Sequence, residues 1–134
     1  MIFKRLLYFL LLLCVINCTY DRAREVTPKP LEVGCDTTNV TYSLTVKPII
    51  EKNCYECHST TATNPEKPGY AFFNDFNELQ KYATQKSATD VNYTTLQAAI
   101  RHVGSIKMPQ NRPQLSECDI RKIEIWIKQG TPQN

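Results

Sequence analysis

The segment Cys54-Tyr55-Glu56-Cys57-His58 restricts what this chain can fold into more than any other feature of the sequence. Cysteines three positions apart, with a histidine directly after the second, lie close to one face of a helical turn. Two such thiols can add to the vinyl groups of a porphyrin, and the imidazole can then bind the iron. The C-x-x-C-H pattern therefore predicts one covalent c-type haem, attached through Cys54 and Cys57, with His58 as the proximal ligand.

Two other kinds of site use a C-x-x-C pair. A structural zinc site needs four ligands, and the chain has no second C-x-x-C and no H-x3-H. A thioredoxin-like redox pair occurs in a βαβ context, and the sequence shows no such alternation. Haem attachment is the interpretation that the rest of the chain favours.

The first 17 residues predict an export signal. Lys4 and Arg5 precede an unbroken apolar run over residues 6–16, which has secretory length and is short for a membrane span. Cys18 follows directly, and its surroundings resemble a bacterial lipobox, which implies that Cys18 is the acylated first residue of the mature protein. Asn17 stands where the lipobox usually has Ala, Gly or Ser. A plain secretory signal and an uncleaved N-terminal anchor therefore stay open.

Charge gives little basis for a nucleic-acid partner. Removal of residues 1–17 leaves 14 basic and 13 acidic residues, a net charge of +1. Nucleic-acid binding needs a basic surface, and long-range steering towards a charged partner needs a stronger field than this. We therefore expect no nucleic-acid binding.

The remaining cysteines predict a disulfide. Residues 18–34 are polar, contain prolines and predict a linker, so the domain is expected to cover residues 35–134. Once Cys54 and Cys57 are assigned to the haem, Cys35 and Cys118 are left in this domain. In an exported chain, two such cysteines predict a disulfide, and two free buried thiols are the alternative.

Hydrophobic periodicity predicts an all-α domain. The expected helices cover about residues 45–58, 75–85, 93–103 and 116–129. Asp75 and Ser116 have the form of N-caps, and the aromatic stretch 70–76 is expected in the wall of the haem pocket or in the core. A domain of about a hundred residues has a marginal core, which a covalently held porphyrin would enlarge.

The sixth ligand of the iron has two candidates. The chain contains two histidines, and signal removal leaves one methionine, so His102 and Met108 compete once His58 is proximal. Met108 is preferred because it lies in a loop that Pro109 stiffens. His102 lies near the end of a predicted helix, where it could instead act as a polar cap or contact a haem propionate.

These features together resemble a known family. With C-Y-E-C-H ending the first helix, Met108-Pro109 about 50 residues later and Trp126 on the last helix, residues 35–134 resemble a class I-like, single-haem c-type cytochrome. The bacterial secreted or lipoprotein form is the one implied. The resemblance implies a cytochrome c-like fold of about four short helices around the haem, with the first and last helices packed across each other. It also implies thioether bonds from Cys54 and Cys57, with His58 and Met108 as axial ligands.

The function that the resemblance implies is electron transfer between redox protein partners. The iron would cycle between ferrous and ferric with both axial positions occupied. The protein would be an exported lipoprotein on the inner or outer membrane, facing the periplasm, or on the cell surface. An enzyme is less favoured, since nothing in the sequence indicates a substrate. A small peroxidase or oxidoreductase subunit with a displaceable distal ligand stays open, as does a sensor or structural haem lipoprotein.

Overall fold

The computed structural model describes Pro30 and residues 32–62 and 71–134. Over these residues the chain forms four α-helices and no β-strand, so the predicted all-α class is confirmed for this part of the chain. The helices are α1 (Lys47–Cys54), α2 (Phe76–Thr84), α3 (Thr95–Ile100) and α4 (Glu117–Lys128). A π-helical turn, Tyr42–Val46, leads directly into α1.

The predicted N-terminal features lie outside the described residues. This applies to the signal over residues 1–17, to Cys18 and to most of the linker 18–34. In the part of the chain that the structure covers, no helix has the length and apolar character needed to cross a membrane.

Two predicted caps begin α2 and α4 at the expected positions. The Asp75 carboxylate accepts a hydrogen bond from the amide of Asn77 at 2.8 Å. The Ser116 hydroxyl accepts one from the amide of Asp119 at 3.0 Å. Each cap satisfies an amide that the first turn of a helix leaves without an intrahelical partner.

Two helices are shorter than the hydrophobic pattern predicts. The helix α1 ends at Cys54 rather than near residue 58, and a turn follows it. The helix α3 covers Thr95–Ile100 rather than residues 93–103. A capping box starts α3: the Thr94 hydroxyl accepts from the amide of Gln97, and the Gln97 side chain accepts from the amide of Thr94. The T-x-x-Q spacing is the sequence signal that would have shown this boundary.

The core joins the start of the domain to its last helix. The ring of Tyr42 lies 4.8 Å from Phe76 and 5.8 Å from Trp126, measured between centroids. Trp126 is fully buried, and its Nε1 donates to the carbonyl of Pro132 at 2.9 Å. All four helices contribute further buried apolar side chains: Ile50, Leu79, Ala83, Leu96, Ile100, Ile120 and Ile123.

The predicted disulfide between Cys35 and Cys118 is confirmed. Their Cα atoms lie 5.7 Å apart and the sulfurs are bonded, a separation that disulfides commonly span. The bond ties the segment before the π-helical turn to the first turn of α4. It closes a loop with a sequence separation of 83 residues, which restricts the unfolded chain.

A buried ion cluster, which sequence patterns did not reveal, joins the end of α3 to α4. The guanidinium of Arg101 binds Glu117 at 2.8 Å and Glu124 at 2.7 Å. Arg121 adds a second cation, 3.2 Å from Glu117. The hydrogen bonds that the Arg101 guanidinium donates to Glu124 and to Glu117 raise the pKa of Arg101 against the opposing effect of burial. The cluster therefore holds α3 and α4 together through paired charges.

Candidate functional site

The residues predicted to bind haem line one cavity of about 440 Å³. Cys54, Cys57 and His58 approach it from the end of α1, and Met108 approaches it from the loop between α3 and α4. The structure thus brings together two parts of the chain that are about fifty residues apart in sequence. His102, the competing candidate for the sixth ligand, is not among the residues that line this cavity.

The turn after α1 keeps the motif close to the helix. The carbonyl oxygen of Cys54 accepts hydrogen bonds from the amides of Cys57 at 3.1 Å and of His58 at 2.8 Å. The second of these bonds has helical spacing, so His58 continues the path of α1 although the helix itself has ended. Both cysteines are free thiols; Cys54 is half-buried and Cys57 is exposed.

The imidazole of His58 is oriented by a backbone carbonyl. Its Nδ1 lies 3.0 Å from the carbonyl oxygen of Ala71. Because a carbonyl oxygen only accepts, Nδ1 must carry the proton, and Nε2 then carries the lone pair that a metal can bind. An Nδ1–H bonded to a carbonyl is the arrangement that orients histidine ligands in metal sites.

Phe73 supports the same ring from its face. The two rings are stacked, with centroids 4.9 Å apart and planes 17° from parallel. The amide of Phe73 also donates to the carbonyl of His58 at 2.7 Å. Residues 71–73 therefore fix the position of His58 through both backbone and side chain.

Burial raises the pKa of the Cys54 thiol to about 12, and the neighbouring Cys57 adds to this shift. Cys54 therefore stays protonated at neutral pH. A redox-active C-x-x-C pair instead needs a thiol with a lowered pKa. Cys54 is therefore not suited to be the attacking thiolate of such a pair.

Met108 is held by both of its backbone polar groups. Its amide donates to the carbonyl of Ala99 at 3.0 Å. Its carbonyl lies 3.1 Å from Nε2 of His102, which must be the donor in this pair. His102 therefore contacts the backbone of the other candidate ligand, while the Met108 residue itself lines the cavity.

In comparisons with known proteins, no family model, curated protein or solved structure gave a significant match to this chain. Function is therefore inferred from the residues of the chain itself. Within residues 32–62 and 71–134, no three or more His, Cys, Asp or Glu side chains are grouped so that they could hold a metal ion.

The aromatic stretch 70–76 is divided between the cavity, the surface and the core, where Phe76 packs. Phe73 is buried and lines the cavity, as expected for a pocket wall, whereas Phe72 is 42% exposed. Tyr70 lies outside the described residues. The remaining apolar wall comes from residues that the sequence indicated only as helix core or not at all: Tyr82, Leu96, Ala99, Ile100 and Leu115.

Exposed residues form the rim of the cavity. Arg112 and Glu56 form an ion pair at 2.5 Å, with side chains that are more than half exposed. Ile106, which is also exposed, lines the cavity as well. The cavity is thus apolar inside and reaches solvent beside the exposed thiol of Cys57.

Proposed function

We propose that residues 35–134 form a c-type cytochrome domain of the class I-like kind, which binds one haem covalently and carries electrons. The observation that carries the proposal is that Cys54, Cys57, His58 and Met108 line a single cavity. Its volume, about 440 Å³, lies within the range of roughly 300–1,000 Å³ found for ligand pockets.

The donor set fits this cofactor. Cys54 and Cys57 supply the two thiols for thioether attachment, and His58 presents Nε2 as a base because Nδ1 is bonded to Ala71. Met108 supplies the thioether that accompanies histidine in high-potential c-type haem proteins. A bound haem supplies a one-electron couple at its iron.

The other lining residues supply an apolar wall, and the motif supplies an exposed edge. Leu96, Ile100 and Leu115 are buried apolar side chains in the cavity wall, and they offer water no hydrogen bonds there. Cys57 is exposed, so the attachment edge of the cavity is open to a redox protein partner. A haem that is buried in this cavity and accessible at one edge could exchange electrons with a protein partner and would need no substrate site.

The way Met108 is held supports a carrier over a small peroxidase or oxidoreductase subunit. Such enzymes need an open or displaceable distal position. Here the amide and the carbonyl of Met108 are both hydrogen-bonded to the end of α3 and the residues that follow it. A fixed backbone favours a thioether that stays in place. The fixed backbone of Met108 gives no particular support to the sensor alternative, in which the sixth ligand of the iron would need to exchange.

Export and membrane attachment complete the proposal. Residues 1–17 would direct export, and acylated Cys18 would anchor the protein to a membrane facing the periplasm or cell surface. The Cys35–Cys118 disulfide supports an oxidising compartment, because such bonds are rare in reducing cytosol.

The test is production of the full chain together with a haem-ligation system. Denaturing electrophoresis should leave haem stain on the wild-type polypeptide and none on the Cys54→Ala/Cys57→Ala variant. The matched control, Cys35→Ser/Cys118→Ser, also lacks two cysteines and should keep the stain. Haem that acidified acetone extracts from the wild type would show that attachment is not covalent.

A second measurement separates a carrier from an enzyme. The oxidised and reduced ultraviolet–visible spectra should be those of a low-spin haem, and peroxide or carbon monoxide should not change them. A spectrum that changes on addition of either reagent would favour the peroxidase or sensor alternatives.

A further inference from the structure

The end of α3 has a backbone conformation that is unusual for histidine. The amide of His102 donates to the carbonyl of Ala99 at 3.2 Å, and the amide of Val103 donates to that of Ala98 at 2.9 Å. These are the two hydrogen bonds of a Schellman motif. His102 occupies its left-handed position, with φ of 58°. Glycine is the usual residue there because it has no Cβ to clash.

The side chain of His102 makes a bond that glycine could not make. Its Nε2 donates to the carbonyl of Met108 at 3.1 Å. The amide of Met108 donates to the carbonyl of Ala99 at 3.0 Å. The carbonyl oxygen of Ala99 therefore accepts hydrogen bonds from the backbone amides of both His102 and Met108. The last turn of α3 and the residue after its cap therefore bind both backbone polar groups of Met108.

The part of α3 that holds Met108 is itself anchored. Arg101, directly before His102, is fixed by Glu117 and Glu124 of α4, and the Arg101 and Glu117 side chains are each only 7% exposed. The side chain of Gln114 donates to the carbonyl of Ile100 at 2.9 Å. These contacts leave the end of α3 little freedom to move relative to α4.

We propose that His102 is a positioning residue for the sixth ligand, and this rests on the proposed function. His102 does not bind the iron; it fixes the Met108 backbone so that the thioether remains at the cavity. Loss of its hydrogen bond frees one end of the Met108 peptide, and an added ligand then displaces the thioether more easily. If His102 served only to end α3, its replacement would not change how easily an added ligand displaces the Met108 thioether.

The test uses two variants that keep a Cβ at the left-handed position. His102→Gln retains an N–H donor, because Nε2 of glutamine and Nε2 of histidine are the same number of bonds from Cα. His102→Leu removes the donor and has a similar size. If His102→Leu yields too little folded protein, His102→Gly removes the same bond and suits the left-handed backbone.

Imidazole titration of the oxidised holoprotein, followed by loss of the sulfur-to-iron band, measures the competition. We expect imidazole to bind about three- to tenfold more tightly to His102→Leu or His102→Gly than to wild type, the effect of one ordinary hydrogen bond. His102→Gln should remain within about twofold of wild type. Amide hydrogen exchange of Met108 in the holoprotein should accelerate in the donor-free variants and not in His102→Gln.

Two results would overturn the inference in different ways. Equal imidazole affinity in wild type, His102→Leu and His102→Gly would overturn the positioning role and leave the proposed function intact. A wild-type protein without the sulfur-to-iron band, or a Met108→Ala variant with unchanged imidazole affinity, would show that Met108 is not the sixth ligand. The proposed ligation and the inference would then both fail.

Discussion

Arg101 and Glu117 form a two-pronged ion pair away from solvent, with Nη1 and Nη2 of the guanidinium 2.8 and 2.9 Å from the two carboxylate oxygens. The residues belong to different helical segments and are 16 positions apart in sequence. Glu124 binds the same guanidinium, so no single pair describes the cluster. Because the charges are buried together, removal of Arg101 leaves two carboxylates with only Arg121 as a neighbouring cation.

We expect Arg101→Met to destabilise the holoprotein by about 3–5 kcal/mol, the usual cost of breaking a buried ion pair from one side. Denaturant unfolding would measure this. Arg112→Met is the matched control, because Arg112 pairs with Glu56 at the surface and exposed pairs contribute about 0–1 kcal/mol. Equal losses of stability in the two variants would show that burial does not strengthen the Arg101 cluster.

Removal of the disulfide should also lower stability. Chain-entropy theory gives up to about 4.5 kcal/mol for a loop of this length, and measured effects are typically about 2–4 kcal/mol. We expect Cys35→Ser/Cys118→Ser to lose a similar amount in denaturant unfolding while its haem spectrum is unchanged. Treatment of the wild type with a reductant should reproduce the loss. A change below about 1 kcal/mol would contradict a stabilising role for the bond.

The thiols of the haem-free protein should differ in reactivity. The pKa of Cys54 is raised to about 12 by burial, so almost none of it is thiolate at pH 8. Cys57 is exposed. We expect alkylation at pH 8 to modify the Cys54→Ser variant quickly, through Cys57, and the Cys57→Ser variant at least about a hundredfold more slowly. Mass spectrometry over time measures both rates, and equal rates would contradict burial of Cys54.

The same shift predicts a pH dependence of stability. The pKa of Cys54 rises from 9.0 to about 12 on folding, so the folded state favours the protonated thiol. The contribution of this pKa difference to the free energy of unfolding is fully present below pH 9 and is lost as the pH rises towards 12. The melting temperature of the haem-free wild type should therefore fall more steeply over that interval than that of Cys54→Ser. Parallel curves would contradict the shift.

Met108→Ala should lower the midpoint potential of the holoprotein. Histidine–methionine ligation raises the potential, within a range of roughly 0.8 V over which axial ligands act. The variant should also lose the sulfur-to-iron band and bind added ligands. Redox titration with absorption spectroscopy measures all three effects. If His102→Ala produced them and Met108→Ala did not, His102 would be the ligand.

Acylation of Cys18 should be visible by mass. The mature protein in the membrane fraction should begin at Cys18 and carry added lipid mass there, with residues 1–17 removed. Cys18→Ser should abolish the added mass. A soluble wild-type product that begins at another residue would leave only a plain secretory signal.

Features that depend on neighbouring residues were predictable from the sequence. The Asp75 and Ser116 caps act over two or three positions, and helical periodicity acts over a few turns, so both left clear patterns. The C-x-x-C-H spacing belongs to this class too, since its residues share one turn. The Cys35–Cys118 bond is a long-range contact, yet it could be inferred because cysteine is rare and has few alternative uses in an exported chain.

The tertiary structure alone decided which distant groups meet. No spacing rule connects His58 to the carbonyl of Ala71, or Arg101 to Glu117 and Glu124. Backbone carbonyls are present at every residue, so the sequence does not mark the one that orients the imidazole of His58. Likewise, the sequence favoured Met108 over His102 as the sixth ligand because of the loop that Pro109 stiffens, but it could not place either residue in space. Only the folded chain places Met108 at the cavity and turns His102 towards its carbonyl, because packing of α3 against α4 determines where the end of α3 lies.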